Sequence, residues 1–147
     1  MTAVSELGNR LYFDTNIFIY GIEGYSRYAE VVRALFRYAD EIGVVVIANR
    51  ILLAELLPKP LAARNDAVLA RYKSLLTEGE SVELVDIDHS VAMTAVDMCA
   101  RHNLRPLDGL HLATALVHDC TAFVTNDRTL ARVDDLPVFL LADLAPA

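Results

Sequence analysis

Five short runs rich in β-branched and aromatic residues constrain this chain more than any other feature. They are RLYFD at Arg10–Asp14, VVVIA at Val44–Ala48, VELVDI at Val82–Ile87, AFVT at Ala122–Thr125 and PVFLL at Pro137–Leu141. Each reads as a short buried strand. Between them the spacing changes to a helical one, most clearly where Tyr28, Val31, Val32, Leu35, Phe36 and Ala39 form one apolar stripe. Near-continuous apolar strands alternating with amphipathic helices imply an α/β fold of three layers, α/β/α, around a central parallel sheet of about five strands with right-handed crossovers. The sequence contains no repeat, low-complexity tract or linker. Residues 1–147 are therefore read as a single domain, with residues 1–9 as a short N-terminal extension.

Composition excludes several classes. With 54% hydrophobic and 22% charged residues in 147, the chain has the balance of a compact domain with a sizeable core. No run approaches the roughly 18 to 20 apolar residues of a membrane span, and MTAVSELGNR lacks the features of a signal peptide. The expectation is a cytoplasmic protein with no membrane partner. Cys99 and Cys120 show no CxxC spacing and are read as reduced core thiols. A net charge of −7 argues against a broad nucleic-acid groove, because phosphate affinity comes from Lys and Arg. It is compatible with a pocket for divalent cations, which must itself be rich in acids.

In open parallel sheets the ligand crevice lies beyond the carboxyl ends of the strands. Those ends are acidic here: Asp14 closes the first strand, and Asp127 follows AFVT through Asn126. Glu55 interrupts the apolar series of RILLAELLPKP, and Asp108 falls in the first turn of a helix beginning near Pro106. Each also has an ordinary explanation. Asp108 suits the positive end of a helix dipole. Asp127 or Asn126 suits the N-cap of a short helix around Arg128–Val133, as Thr15 or Asn16 suits the helix after the first strand. Glu55 supplies the polar face that a surface helix needs.

Taken together, the four acids point further. Carboxylates about 4 Å apart repel by roughly 4 kcal/mol at an effective dielectric near 20, so a cluster stays ionised only beside a cation. All-oxygen ligands select Mg²⁺ or Mn²⁺. His111 and His118 are seven apart rather than at HExxH spacing, and read as core or surface residues. His89 reads as a cap after Asp88, and His102 as the end of that helix beside Arg101. None is given a catalytic role. Phosphate-loop, GxGxxG and GxSxG motifs are absent. Arg50, Lys59, Arg105 and Arg128 flank the acids and are candidate phosphate contacts, with solvated charges at helix ends as the plain alternative. Arg64 and Arg71, on a long polar helix after Pro60, would extend a basic edge.

LYFDTNIFIY, the isolated Glu55, LDGLHLATALVHD and FVTND, in that order, resemble the PIN-domain family over nearly the whole chain, and the size is similar to VapC-type toxins of toxin–antitoxin pairs. The resemblance implies a metal-dependent endoribonuclease in which Asp14 and Asp108 hold Mg²⁺ or Mn²⁺, Glu55 and Asp127 complete the quartet, and Thr15, Asn16 and Asn126 are supporting polar groups. It further implies an RNA substrate, a cognate antitoxin and a homodimer. Two rivals are a haloacid-dehalogenase-like phosphatase, whose DxDx[TV] motif would need an acid where Asn16 stands, and a non-catalytic interaction module on the same fold.

Overall fold

A computed structural model describes residues 1–24 and 27–146. Along the chain the elements are β1 (Thr2–Ala3), β2 (Arg10–Phe13), α1 (Thr15–Ile19), α2 (Ala29–Ile42), β3 (Val45–Asn49), α3 (Ile51–Leu56) and α4 (Pro58–Ala62). There follow α5 (Asp66–Lys73), β4 (Val82–Val85), α6 (His89–His102), α7 (Pro106–Val117), β5 (Ala122–Thr125), β6 (Val138–Leu140) and β7 (Leu144–Ala145). The five apolar runs are five strands of one sheet, in the order β4-β3-β2-β5-β6, and every pairing is parallel.

Alternation along each strand divides the core in two. Leu11 and Phe13 of β2, Val46 and Ala48 of β3, and Ala122 and Val124 of β5 face one apolar cluster, filled by Ile17, Phe18, Leu35, Leu52, Leu56 and Tyr72 from α1, α2, α3 and α5. Tyr12, Ile47 and Phe123 face the other, which Val91, Ala95 and Met98 of α6 and Leu112, Ala113 and Ala115 of α7 fill. The sheet is thus covered on both faces, giving the three-layer α/β/α architecture. The stripe on α2 is observed as read, with Val31, Val32, Leu35 and Ala39 buried, and Gly43 ends the helix at φ 71°, where a residue without Cβ is unstrained. Among the described residues no helix is long and apolar enough to cross a membrane.

The first nine residues are fastened to the fold: β1 pairs in parallel with β7, and Val4 and Leu7 are buried. Two local expectations are corrected. The long helix expected after Pro60 is broken, because Arg64 takes φ 54° and the Asn65 side chain caps α5 by accepting from the Val68 N–H. Arg64 and Arg71 therefore form no common basic edge, and Arg71 donates instead to the Ile22 carbonyl at 2.7 Å. His89 is the first residue of α6, and its cap is Asp88, which accepts from the Val91 N–H at 2.9 Å. Of the two cysteines, both free, Cys120 is buried and Cys99 is half-buried.

Helices α6 and α7 approach so closely that a Cβ on Gly109 would lie far inside van der Waals contact with Cys99 Sγ. This contact fixes the first turn of α7. Gly109→Ala is expected to lower stability by about 1 to 3 kcal/mol through overpacking. Adding Cys99→Ala should recover most of that loss, and thermal denaturation of the single and double variants measures it.

Candidate functional site

The strand order reverses around β2, since the chain proceeds through β3 and β4 on one side and returns to β5 and β6 on the other. Such a switch point opens a crevice at the carboxyl ends of the strands. Asp14 follows β2 directly, is 8% exposed, and is tied to the neighbouring strand by its N–H, which donates to the Val124 carbonyl at 2.9 Å. Its carboxylate is itself the N-cap of α1, correcting the expectation of Thr15 or Asn16: Oδ1 accepts from the Thr15 N–H at 2.8 Å. Oδ2 accepts from the Thr125 hydroxyl at 2.7 Å. Burial raises the Asp14 pKa above the ordinary carboxylate range, with the nearby charge of Asp108 adding to it, against the lowering effects of these hydrogen bonds and of His111.

Thr15 links the first acid to the second, because its hydroxyl donates to Glu55 Oε1 at 3.0 Å. His111 Nε2 lies 2.6 Å from the same oxygen. Burial acts to raise the Glu55 pKa, but the hydrogen bonds with His111 and the Thr15 hydroxyl outweigh it and leave the carboxyl below its ordinary value. Asp108 stands in the first turn of α7 after Pro106 at the helix start, as read from the sequence. Its Oδ2 accepts from Arg105 Nε at 3.0 Å, and Arg105 Nη2 is 3.8 Å from Asp127 Oδ2. Asp127 caps the turn at Arg128–Arg132, its Oδ1 accepting from both the N–H and the hydroxyl of Thr129.

Two adjoining clefts gather these groups. One, of about 430 Å³, is lined by Glu55, Arg105, Pro106, Leu107 and Asp108. The other, of about 410 Å³, adds Asp127, Thr129 and Arg132 beside Arg105 and Asp108. Glu55, Asp108 and Asp127 thus line these clefts; Asp14 lines neither but is joined to them through Thr15, which reaches Glu55, and through Thr125, whose hydroxyl donates to Asp14 and accepts from the Asp127 N–H at 3.0 Å. Among the described residues, the trio whose candidate ligand atoms lie within 4.8 Å of one another is a different one, His102, Asp134 and Asp135. Asp135 already has partners: Arg101 takes it in a fork, His102 Nε2 lies 2.7 Å away, and these contacts hold its carboxyl down to about 2. Asp135, with Arg101 and His102, thus clamps the end of α6.

The other sequence candidates divide. Thr15 is in the site. Asn16 is exposed and makes no side-chain hydrogen bond among the described residues, while Asn126 donates to the Tyr20 hydroxyl at 2.9 Å. Arg50 pairs with Asp86 at 2.6 Å, and Lys59 and Arg128 are exposed. Only Arg105 of the proposed phosphate contacts touches the acids. Sequence reading passed over Thr125, His111 and Tyr12, whose hydroxyl is 2.6 Å from His111 Nδ1. His111 carried a usable signal, since it lies three residues after Asp108 and shares its helix face.

The description "PIN domain" belongs to a family model that matches residues 11–136. Three solved structures share the fold. VapBC2 from Rickettsia felis bound to a DNA fragment from its promoter is similar at 17% identity and a TM-score of 0.68, covering 89% of this chain and 98% of that one. A toxin–antitoxin complex from Klebsiella pneumoniae gives 20% identity, a TM-score of 0.65, and coverage of 93% and 98%. DNA-bound VapBC from Salmonella typhimurium gives 18%, 0.69, and coverage of 91% and 99%. No curated protein matches the sequence.

Because Asp14 is harder to ionise in the fold than in the unfolded chain, its charge opposes folding at neutral pH; that penalty fades as pH falls through the raised folded pKa and is gone below the unfolded carboxylate pKa. Asp14→Asn should therefore raise the thermal midpoint of the metal-free protein at pH 7, with a gain that shrinks towards pH 4. A constant or negative effect across that range would contradict this electrostatic account.

Proposed function

The chain belongs to the PIN-domain family, and from that premise we propose that it is a divalent-metal-dependent endoribonuclease, the toxin of a type II toxin–antitoxin pair. What supports the reading is that Glu55, Asp108 and Asp127 line two adjoining clefts, with Asp14 tied to them through Thr15 and Thr125. Their donors are all carboxylate oxygens, the set that suits Mg²⁺ or Mn²⁺. Glu55 Oε2 and Asp108 Oδ1 accept no hydrogen bond among the described residues, and the raised pKa of Asp14 is a penalty that a cation relieves.

Asp14 and Asp108 would hold the principal ion, and Glu55 and Asp127 a second ion or the waters around it. Such an ion supplies positive charge opposite the phosphate and makes a water more acidic. The side chains supply the rest. Thr125 and the Thr15 N–H keep Asp14 aimed past the end of β2. Arg105, 79% exposed, neutralises Asp108 and Asp127 and is free to turn its guanidinium to an RNA phosphate. On this reading the nucleophile is a water that the ion makes more acidic.

One of the similar structures is a toxin–antitoxin complex, and we extend that to a small antitoxin for this chain whose basic side chain would pair with the free carboxylate oxygens. A homodimer in the cytoplasm completes the proposal, since a closed two-fold dimer is the commonest oligomer of soluble proteins. Family membership leaves the phosphatase rival without support. The non-catalytic module is separated from an enzyme by assay.

Purified protein should cleave RNA with Mg²⁺ or Mn²⁺ and leave 5′-phosphate and 3′-hydroxyl ends; 2′,3′-cyclic phosphates would overturn the water mechanism. Asp14→Asn and Asp108→Asn should each reduce the rate by at least about a hundredfold, the scale of several kcal/mol of charge stabilisation. Removing the competing guanidinium with Arg105→Ala should tighten Mn²⁺ binding by up to about fivefold, within the range of an exposed ion pair, while weakening RNA binding. Calorimetric titration with Mn²⁺ and filter binding of RNA read the two effects separately.

A further inference from the structure

We propose that His111, backed by Tyr12, is a positioning residue for Glu55, holding it so that a single carboxylate oxygen, Oε2, is offered to the cleft. The inference rests on the reading of Glu55 as a cation ligand given above. It begins from a row of hydrogen bonds that starts in the sheet and ends at the cleft wall. The Asn49 N–H, at the end of β3, donates to the Tyr12 hydroxyl at 3.3 Å. Tyr12 is fully buried, its ring stacked on Phe123 at 5.2 Å between centroids and 6° between planes, so its hydroxyl has a fixed direction. That hydroxyl is 2.6 Å from His111 Nδ1.

The proton positions follow from counting donors. The Tyr12 oxygen already accepts from Asn49, and the acceptor within reach of its own proton is Nδ1. A buried hydroxyl without an acceptor is costly, so Tyr12 donates and Nδ1 accepts. The imidazole then carries its proton on Nε2, which is directed at Glu55 Oε1 at 2.6 Å. Thr15 donates to the same oxygen at 3.0 Å. Oε1 thus has two donors, and Oε2 has none among the described residues.

A His111 that served packing alone would need no acidic partner. It is 2% exposed, and its polar contacts among the described residues are Tyr12, Glu55 and Thr15. The side chain therefore connects the rigid centre of the sheet to one carboxylate at the mouth of the cleft. Glutamate has three rotatable bonds and would otherwise lose that freedom only when a cation binds. Fixing it beforehand removes an ordering penalty from binding. Groups that orient a metal ligand in this way typically change affinity by about ten- to a hundredfold when lost.

The test is Mn²⁺ affinity of the full chain, measured by calorimetry on wild type, Glu55→Gln, His111→Gln and Tyr12→Phe, and on each of the last two combined with Glu55→Gln. Glu55→Gln should weaken Mn²⁺ binding. His111→Gln and Tyr12→Phe should each weaken it about ten- to a hundredfold when Glu55 is present and change it little in the Glu55→Gln background. Nitrogen-15 spectra of the metal-free wild type should show His111 protonated at Nε2, with that preference reduced by Tyr12→Phe. If His111→Gln fails to fold, Tyr12→Phe, which preserves the ring and its stack, carries the cycle. An unchanged Mn²⁺ affinity in Glu55→Gln would remove Glu55 from the metal site and this role with it. Weakening by Glu55→Gln but not by the other two, equal effects in both backgrounds, or an Nδ1-protonated His111 would overturn the positioning role and leave the metal site standing.

Discussion

The parallel pairing of β2 with β5 is the constraint on which the rest depends. It joins segments far apart in the chain, with Phe13 opposite Val124, and it extends one step beyond the strands through the Asp14 N–H and the Val124 carbonyl. A parallel pair cannot close through a tight turn, so everything from α1 to α7 is inserted between these two strands, with β3 and β4 extending the sheet and the helices packing on its two faces. The two apolar clusters are the result. The same pairing brings Thr125 to Asp14 across 111 residues of sequence and leaves the strand ends open for the helices to approach.

Electrostatics decides how that opening is furnished. A carboxylate such as Asp14, buried at the end of an apolar strand, is expensive to ionise, and a cap hydrogen bond with one hydroxyl only partly offsets the lost solvation. The fold manages the other three acids differently: Glu55 shares one oxygen between two donors, Asp127 spends one on Thr129, and Arg105 lies between Asp108 and Asp127. Each carboxylate keeps some acceptor capacity. Arg105 and Arg132 against four acids leave the region short of positive charge, so on the proposed reading its preference for a cation follows from the arrangement rather than from any single residue.

The sheet was legible because its signal is local: a buried parallel strand must be apolar along its length, and the run AFVT has the observed bounds of β5. Asp14, Asp108 and Asp127 drew attention because they stand at strand ends and a helix start, and Glu55 because it interrupts an apolar helix, positions visible without tertiary contacts. What was missed depended on contacts between distant segments. Tyr12 looks like any aromatic in a strand until Asn49 and His111 meet its hydroxyl, and His111 sits in an apolar helix that reads as core, which it also is. The break at Arg64 turned on a single positive φ, and the fastening of β1 to β7 joined the two ends of the sequence. Arg50 was read as a neighbour of Glu55 from sequence proximity, but its pairing with Asp86 carries it to the edge of β4.

The acidic total of −7 bears on the same cleft. A polyanion approaching such a surface is repelled in general and admitted only where the local field is reversed. Around the acids that reversal has two sources on the proposed reading: a bound divalent ion and the exposed guanidinium of Arg105, released as the ion takes over its carboxylates. The two are coupled, because Arg105 is held by Asp108 for as long as Asp108 lacks another cation. Affinity for RNA would then depend on occupancy of the metal site, so that the ion governs substrate binding as well as hydrolysis. A basic partner peptide would exploit the opposite state, meeting the acids before a metal does, and the charge of the chain as a whole would speed its approach.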